Sequence, residues 1–341
     1  MHAIPKTRIL GTGSYAPARV VPNAELEGVV DTSDEWIATR TGIRRRHFAA
    51  EGEATSDMAA EACRRALSAA GLNAADVDLI IVATVTPDSP IPSCAVLVQK
   101  KLGASEIPAF DIAAACAGFI YGITIADQFI ATGAARCVLV VGVELLSRAV
   151  NWTDRTTCVL FGDGAGAVVL GPASMKRTGE PDREPALAPG ILSSCIFTDG
   201  SLAGALRIPA GGSARPADDE VLRTRQNKVH MDGQDVFRTA VKQLTASSTQ
   251  ALKASGLTSR ELDWVVPHQA NLRIISQVSQ RLGFPLEKMV LNLEEYGNTS
   301  SASIPIALDE AVRDGRIVAG HHVLMCALGA GISWGAAVVR I

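Results

Sequence analysis

Apolar runs that suit buried strands alternate with amphipathic helical segments, and the whole alternation occurs twice along the chain. The two runs that open the repeats are "DVDLIIVATVTPD" from Asp76 and "ELDWVVPHQAN" from Glu261. In each, an Asp precedes β-branched residues, which is typical of a buried parallel strand. Each run is followed by a helix that ends in "KKLG" or "QRLG", a second strand ("PAFDIAAA" or "MVLNLEEY") and a second helix. The pattern predicts an α/β protein.

The spacing of the matched positions indicates an internal duplication. The pairs Asp78 and Asp263, Gly103 and Gly283, and Val138 and Val323 are separated by 180 to 185 residues. A generic strand–helix alternation could mimic part of this match. If a pseudo-two-fold axis relates two similar halves, equivalent loops of the halves meet near that axis.

A proline-rich segment lies between the two repeats. Residues 172–190, "PASMKRTGEPDREPALAPG", carry mixed charge without apolar periodicity, and this predicts a surface loop. We therefore divide the chain into an N-terminal half, 1–171, a linker, 172–190, and a C-terminal half, 191–341. A second irregular stretch is expected at 209–220.

Three further segments have clear periodicity or composition. Apolar residues recur at helical spacing over 235–255, and Gly256 follows as a stop. Residues 323–339 are uncharged, but their glycines and borderline length make a poor membrane helix. They predict buried strands around a tight turn. The first residues contain no long apolar run, so no secretory signal is expected.

Charge and cysteine content exclude several classes of protein. A net charge of -3 gives no reason to expect nucleic-acid binding. The seven cysteines form no Cys-x-x-Cys pair, so neither a disulfide framework nor a metal site is expected, and a reducing cytoplasm fits best.

Two glycine-rich stretches imitate nucleotide-binding motifs. "GTGSYA" at 11–16 matches the dinucleotide fingerprint by letters, but Pro17 interrupts the helix that the motif needs, so we predict a turn between strands. "FGDGAGAVVL" at 161–170 lacks the Lys-Ser/Thr of a phosphate loop and predicts a turn into a strand.

Cys116 has a context suited to a nucleophile. It follows a predicted strand, opens a helical segment and is surrounded by alanines and Gly118, which leave room for an acyl group. A helix start is expected to lower the pKa of a thiol. The ordinary fate of a free cysteine, a small buried apolar residue, is the alternative.

Two other polar side chains are candidates for the same site. His268 ends an apolar strand, and α/β sites collect at the carboxyl ends of strands. Asn298 lies in "YGNTSSAS", which is also ordinary turn chemistry, and the following Thr299, Ser300 and Ser301 could cap the next helix. The duplication would bring Cys116, His268 and Asn298 together.

Four long strings resemble β-ketoacyl-[acyl-carrier-protein] synthase III. They are "DTSDEWIATRTGIRRRH", "DIAAACAGF", "PHQANLRII" and "YGNTSSASIPIALDEAVRDGRI", and the resemblance covers nearly the whole chain. It implies a thiolase-like five-layer αβαβα sandwich. It also implies condensation of an acyl-CoA with malonyl-acyl-carrier protein, without a metal or redox cofactor, in a homodimer that binds no membrane.

The resemblance also implies residue roles. Cys116 would be the nucleophile, with His268 and Asn298 binding the malonyl thioester oxygen, and the N–H groups of Cys116 and Ala330 would form the oxyanion hole. The residues implied to bind CoA are Thr32, Trp36, Arg40, Arg155, Gly233, Phe237, Ala270 and Asn271. Those implied to contact the carrier protein are Gln269, Ala270, Asn271, Leu272, Arg273 and Arg281.

The chain departs from its relatives in the acyl pocket. Leu328 stands where many relatives have phenylalanine, and Ile91 stands where some have it. Without these rings, the pocket could accept an acyl group larger than acetyl. A thiolase-fold enzyme with another acceptor, of the quinolone, olefin or polyketide type, remains an alternative. A nicotinamide-dependent oxidoreductase and a non-enzymatic scaffold are more distant ones.

Overall fold

The computed structural model describes residues 6–175 and 188–341, and two sheets form its frame. The strands are β1 (Thr7–Tyr15), β2 (Arg19–Pro22), β3 (Arg45–Phe48), β4 (Leu79–Ala83), β5 (Ala109–Ile112), β6 (Val138–Leu145), β7 (Asp163–Pro172), β8 (Gly190–Thr198), β9 (Leu206–Arg207), β10 (His230–Met231), β11 (Trp264–Pro267), β12 (His322–Gly329) and β13 (Ser333–Arg340). The α-helices are α1 (Asn23–Leu26), α2 (Asp34–Thr41), α3 (Thr55–Ala70), α4 (Cys94–Leu102), α5 (Gly118–Ala131), α6 (Asp219–Arg223), α7 (Gly233–Ser255), α8 (Leu272–Leu282), α9 (Leu293–Tyr296) and α10 (Ser303–Arg313).

The four strands of the second sheet repeat the topology of four of the five strands of the first. The first has the order β1-β7-β6-β4-β5 and the second β11-β12-β13-β8. In the first, β4 and β6 are parallel with Leu79 opposite Val138, and in the second, β11 and β12 are parallel with Trp264 opposite Val323. Antiparallel strands then follow in both sheets. The shared topology confirms the duplication that the sequence spacing predicts.

Helices and sheets stack in five layers. Helices α5 and α10 contact strands of both sheets and form the central layer. Helices α3 and α4 cover the outer face of the first sheet, and α7 and α8 cover that of the second. The expected αβαβα sandwich is confirmed, and the central strands are buried on both faces, as their continuous apolar runs require.

One predicted strand is replaced by a single bridge and a short helix. Met289 pairs only with Val265, and the chain then turns into α9. The side-chain oxygen of Gln269 accepts the N–H groups of Asn292 and Leu293, at 3.0 and 3.3 Å. The amide of Gln269 thus occupies backbone groups that a longer strand would have paired.

The predicted turn at "GTGSYA" is wrong, because residues 11–15 belong to β1. The glycines serve close packing. A Cβ on Gly11 would lie 2.4 Å from the carbonyl oxygen of Ala66, and a Cβ on Gly13 would lie 2.3 Å from the backbone nitrogen of Ala66. Helix α3 therefore lies directly on the strand, and no helix starts within the motif to receive a pyrophosphate.

The other sequence expectations have mixed outcomes. Helix α7 ends at Ser255 with Gly256 as its C-cap, and the tail forms β12 and β13 around Gly331, whose φ of 71° is left-handed, so both predictions are confirmed. The turn predicted within "FGDGAGAVVL" is wrong, because residues 163–170 already belong to β7 and the turn precedes them at 155–160. Within 209–220, residues 210–215 form bends and α6 begins at Asp219. Residues 176–187 of the predicted linker lie outside the described residues, so the division of the chain at 172 and 190 stays a prediction. In the described ranges, no helix has the length and apolarity to span a membrane.

Candidate active site

The three candidate side chains lie where parallel strands, or the bridge that replaces one, end. Cys116 follows β5, His268 follows β11, and Asn298 follows the bridged segment at Met289. All three line one cavity of about 1210 Å³. The duplication thus brings together side chains that are far apart in sequence.

Three residues next to the site have left-handed backbones although none is glycine. They are Ala115, beside Cys116, Ser300, two residues after Asn298, and Ile332, two residues after Ala330, with φ of 45°, 50° and 46°. Such conformations persist only where the surrounding structure holds them, and they cluster at functional sites.

Cys116 has a raised pKa, contrary to the prediction from its place near a helix start. It lies in a single 3₁₀ turn, Ala115–Ala117, before α5, and only 6% of its surface is exposed. Burial raises the pKa of Cys116 to about 12. The resting site therefore holds a neutral thiol.

His268 is a buried, neutral imidazole. Burial lowers the pKa of His268 to about 3. Its Nδ1 lies 2.6 Å from the Oγ of Ser303, at the start of α10, and its backbone N–H donates to the carbonyl of Cys326. When Ser303 donates to Nδ1, the proton of the ring is on Nε2, which is then a donor.

Asn298 is fixed by its backbone and by one side of its amide. Its N–H donates to the carbonyl of Leu160, and its carbonyl accepts the N–H of Gly162. Its Oδ1 accepts the N–H of Ser300 at 2.8 Å. Because Oδ1 is occupied in this way, Nδ2 is the group left to donate to a ligand.

The interpretation of Ser300 and Ser301 as helix caps is wrong. Helix α10 begins at Ser303, its N-cap position is Ala302, and no side chain caps it. The hydroxyls of Ser300 and Ser301 lie instead against the carboxylate of Glu144.

The turn that carries Ala330 packs against the backbone of the candidate nucleophile. A Cβ on the preceding Gly329 would lie 2.5 Å from the nitrogen of Cys116 and 2.8 Å from the oxygen of Ala114. Only a glycine allows this approach, which places the start of the 330–332 turn beside Cys116.

The residues predicted to bind CoA lie mostly along the same cavity. Trp36, Arg40, Gly233, Phe237, Ala270 and Asn271 all line it. The guanidinium carbons of Arg40 and Arg155 lie 5.2 and 5.1 Å from the centre of the Trp36 ring. Thr32 is half-buried nearby in the chain, and its hydroxyl has no hydrogen-bond partner within the described structure.

The residues predicted to contact a carrier protein divide into two groups. Arg273 and Arg281 are exposed on α8, and Arg273 stacks on Phe237 at the cavity. Leu272 is half-buried. Gln269 is only 1% exposed, and its side-chain NH₂ donates to the backbone carbonyls of Pro267 and Val290. We therefore leave it out of the docking surface.

The two predicted acyl-pocket residues have opposite environments. Leu328 is buried and lines the cavity. Ile91 is 87% exposed and does not line the cavity of its own chain. The sequence reasoning missed Leu160 and Phe161, which also line it. Their only signal is the apolar run before "GDGAG".

Comparisons with known proteins give one answer. Models of 3-oxoacyl-[acyl-carrier-protein] synthase III match residues 110–181, and its C-terminal part matches 252–341. A β-ketoacyl-[acyl-carrier-protein] synthase III from Paramagnetospirillum magneticum is 51% identical over 338 residues, covering 99% of this chain and 100% of the relative.

Solved structures agree. The 3-oxoacyl-[acyl-carrier-protein] synthase III of Aquifex aeolicus is 44% identical with a TM-score of 0.87, over 98% of this chain and 100% of that one. The priming β-ketosynthase of the R1128 polyketide pathway is 38% identical with a TM-score of 0.87, over 100% and 98%. At this identity and coverage, the chain belongs to the β-ketoacyl-[acyl-carrier-protein] synthase III family.

Proposed function

We propose that the protein condenses an acyl-CoA primer with malonyl-acyl-carrier protein, giving 3-oxoacyl-acyl-carrier protein, CoA and CO₂, and so starts fatty-acid synthesis. The observation that carries this is a single cavity with Cys116, His268 and Asn298 on its wall and Trp36 and Arg40 along it. A thiol, two hydrogen-bond donors and an aromatic–guanidinium pair suit a thioester attached to an adenine nucleotide.

In the first half-reaction, the sulfur of Cys116 attacks the acyl carbon of acyl-CoA. The carbonyl oxygen gains negative charge, and the N–H groups of Cys116 and Ala330 stabilise it. Collapse of this intermediate expels CoA and leaves a thioester on Cys116. The close approach of Gly329 to the Cys116 backbone supports this pairing of donors.

In the second half-reaction, malonyl-acyl-carrier protein loses CO₂. The electron pair of the broken C–C bond moves into the thioester, whose oxygen becomes an enolate. Nε2–H of His268 and Nδ2–H of Asn298 donate to that oxygen, and the buried, neutral imidazole keeps its Nε2 proton. The carbon then attacks the acyl group and releases Cys116. Loss of CO₂ generates the nucleophile, so the chemistry requires no metal or redox cofactor.

Three further expectations concern the oligomeric state, the binding of adenine and the location in the cell. We expect a homodimer, in which the exposed Ile91 of one protomer reaches the acyl pocket of its partner. Trp36 would stack on the adenine of CoA after one of its two guanidinium neighbours moves aside. We also expect a cytoplasmic location, which suits seven free cysteines.

The acceptor is tested by competition between malonyl-CoA and malonyl-acyl-carrier protein. We expect the enzyme, once acylated, to extend the carrier-bound substrate with the higher kcat/KM. A preference for malonyl-CoA would favour a polyketide-type condensing enzyme instead.

Carrier-protein binding is expected to depend on Arg273 and Arg281. Changing both to alanine should raise KM for malonyl-acyl-carrier protein about tenfold at low salt, because exposed charges steer association. The acylation of Cys116 by acetyl-CoA should change less. Arg260, which precedes β11 and therefore lies at the opposite end of that strand from His268, is the matched control. An equal loss in the Arg260→Ala variant would refute the docking surface.

Acyl-chain preference is expected to depend on Leu328. The Leu328→Phe variant adds a ring to a buried wall of the cavity and should lower kcat/KM for octanoyl-CoA relative to acetyl-CoA by about 10- to 100-fold. Parallel steady-state assays with both substrates give the ratio. An unchanged ratio would show that the acyl chain does not lie against Leu328.

A further inference from the structure

A fully buried carboxylate that the mechanism above does not use lies behind the nucleophile. Glu144, near the end of the central strand β6, is 0% exposed. Its Oε2 accepts the Thr86 hydroxyl at 2.7 Å, the Val85 N–H at 3.1 Å and the Thr84 hydroxyl at 3.3 Å. Its Oε1 lies 3.1 Å from the Ser300 hydroxyl and 3.2 Å from the Ser301 hydroxyl.

Ser300 connects this carboxylate to Cys116. The 3₁₀ turn that carries Cys116 packs against residues 300–302, and Ser300 is a hydrogen-bond partner of Cys116. Because the single hydroxyl proton of Ser300 is donated to Oε1 of Glu144, its oxygen is free to accept the S–H of the neutral thiol. The backbone of Ser300 is held at a φ of 50°. The turn after Asn298 is thus held in a strained form with its hydroxyl between the thiol and the carboxylate.

The network has room for a proton on Glu144. Ser301 has one hydroxyl proton and lies 2.8 Å from the carbonyl of Ala83, closer than its 3.2 Å to Oε1. A Ser301 that donates to Ala83 offers a lone pair to a protonated Glu144. Burial raises the pKa of Glu144 to about 7, although the hydrogen bonds from Thr86, Val85 and Ser300 oppose this.

We propose that Glu144 takes up the proton of the Cys116 thiol, relayed by the Ser300 hydroxyl, as the acyl group is transferred from CoA. This inference rests on the proposed function. Glu144 acts through Ser300 and does not touch the substrate, so it is a positioning residue and a proton store.

The transfer keeps one negative charge in the buried site. The negative charge of Glu144 raises the pKa of Cys116, so two anions there would repel each other. When the proton moves from the sulfur to the carboxylate, the negative charge passes from the carboxylate to the sulfur. The site therefore never holds two anions. Cys116 is the titratable group whose pKa the charge of Glu144 affects. The other groups facing Glu144 are the Thr84, Thr86, Ser300 and Ser301 hydroxyls and the Val85 N–H. His268 is a poorer acceptor, since burial lowers its pKa to about 3.

The step balances. The proton of Cys116 moves to the Ser300 oxygen while the Ser300 proton moves to Oε1 of Glu144. The sulfur electron pair forms the bond to the acyl carbon, and the π pair of the carbonyl moves to its oxygen. Collapse breaks the bond to CoA, which leaves as a thiolate and is protonated by water. Condensation later expels Cys116 as a thiolate, which recovers its proton from Glu144 by the same path.

The test measures the two half-reactions separately. Rapid-quench mass spectrometry gives the rate of Cys116 acetylation by acetyl-CoA over a pH series, and CO₂ release from malonyl-acyl-carrier protein gives the second half-reaction. In the wild type, acetylation should fall as the pH drops through about 7, because a protonated Glu144 cannot accept a proton. The Glu144→Gln and Ser300→Ala variants should acetylate about 100-fold more slowly and lack this pH limb.

Thr86→Val is the matched variant. It keeps both the carboxylate and Ser300 but removes a hydrogen bond that lowers the pKa of Glu144, so it should keep the limb and shift it to higher pH. CO₂ release should stay at the wild-type rate in all three variants. Wild-type acetylation in Glu144→Gln, an unshifted limb in Thr86→Val, or a parallel loss of both half-reactions would overturn the relay. A wild type that is not acetylated at all would contradict the proposed function instead.

Discussion

Replacing Cys116 by alanine is expected to lower the rate of condensation about 10⁶-fold, the largest effect of any single change. In the proposed mechanism, the sulfur of Cys116 forms the covalent bond to the acyl group, and no neighbouring group can replace it. The loss is measured as 3-oxoacyl-acyl-carrier protein formed from acetyl-CoA and malonyl-acyl-carrier protein.

The same variant separates the two half-reactions. Its His268 and Asn298 remain, so it should still release CO₂ from malonyl-acyl-carrier protein. Cys158→Ala is the control, because Cys158 is also buried and follows Asp154 and Thr156 at the cavity without lining it. Substantial condensation by Cys116→Ala would remove the nucleophile from the account.

Changing Asn298 to aspartate is expected to slow decarboxylation about 10³-fold or more. The shape is nearly unchanged, and one carboxylate oxygen can still accept the N–H of Ser300, as Oδ1 does in the wild type. The other oxygen, however, replaces the Nδ2 donor with an acceptor, which would repel the enolate that the proposed mechanism places there. CO₂ release and Cys116 acetylation should be followed in parallel.

The comparison with Asn298→Ala isolates the charge. Alanine removes the donor without adding a repelling group, so it should lose less activity than aspartate. If alanine and aspartate are equally active, charge repulsion at this oxygen is not part of the mechanism, and if neither slows CO₂ release, Asn298 does not bind the enolate.

The fold and the convergence of the site could be predicted from sequence because both follow from the repeat. Equivalent strand ends meet in a duplicated sheet pair, and Cys116, His268 and Asn298 each follow one of the segments that the pattern identifies. The parallel strands are also continuously apolar, so each must lie in a sheet that is covered on both faces.

The predictions that failed concern properties that depend on neighbours distant in the sequence. The pKa of Cys116 is raised because the surrounding residues bury it completely enough to outweigh any benefit of a helix start. Ser300 and Ser301 turn toward Glu144 rather than capping α10. Gly11 is part of a strand because α3 lies against it. The residues adjacent in the sequence give no information about these contacts.

Mass spectrometry of the protein after incubation with acetyl-CoA, followed by a chase with malonyl-acyl-carrier protein, tests the central claim most directly. The account predicts one acetyl group per chain, on Cys116 and on none of the other cysteines, and its complete removal by the chase as 3-oxobutanoyl-acyl-carrier protein appears. Acetylation of a different residue, or an acetyl group on Cys116 that the chase leaves in place, would contradict it.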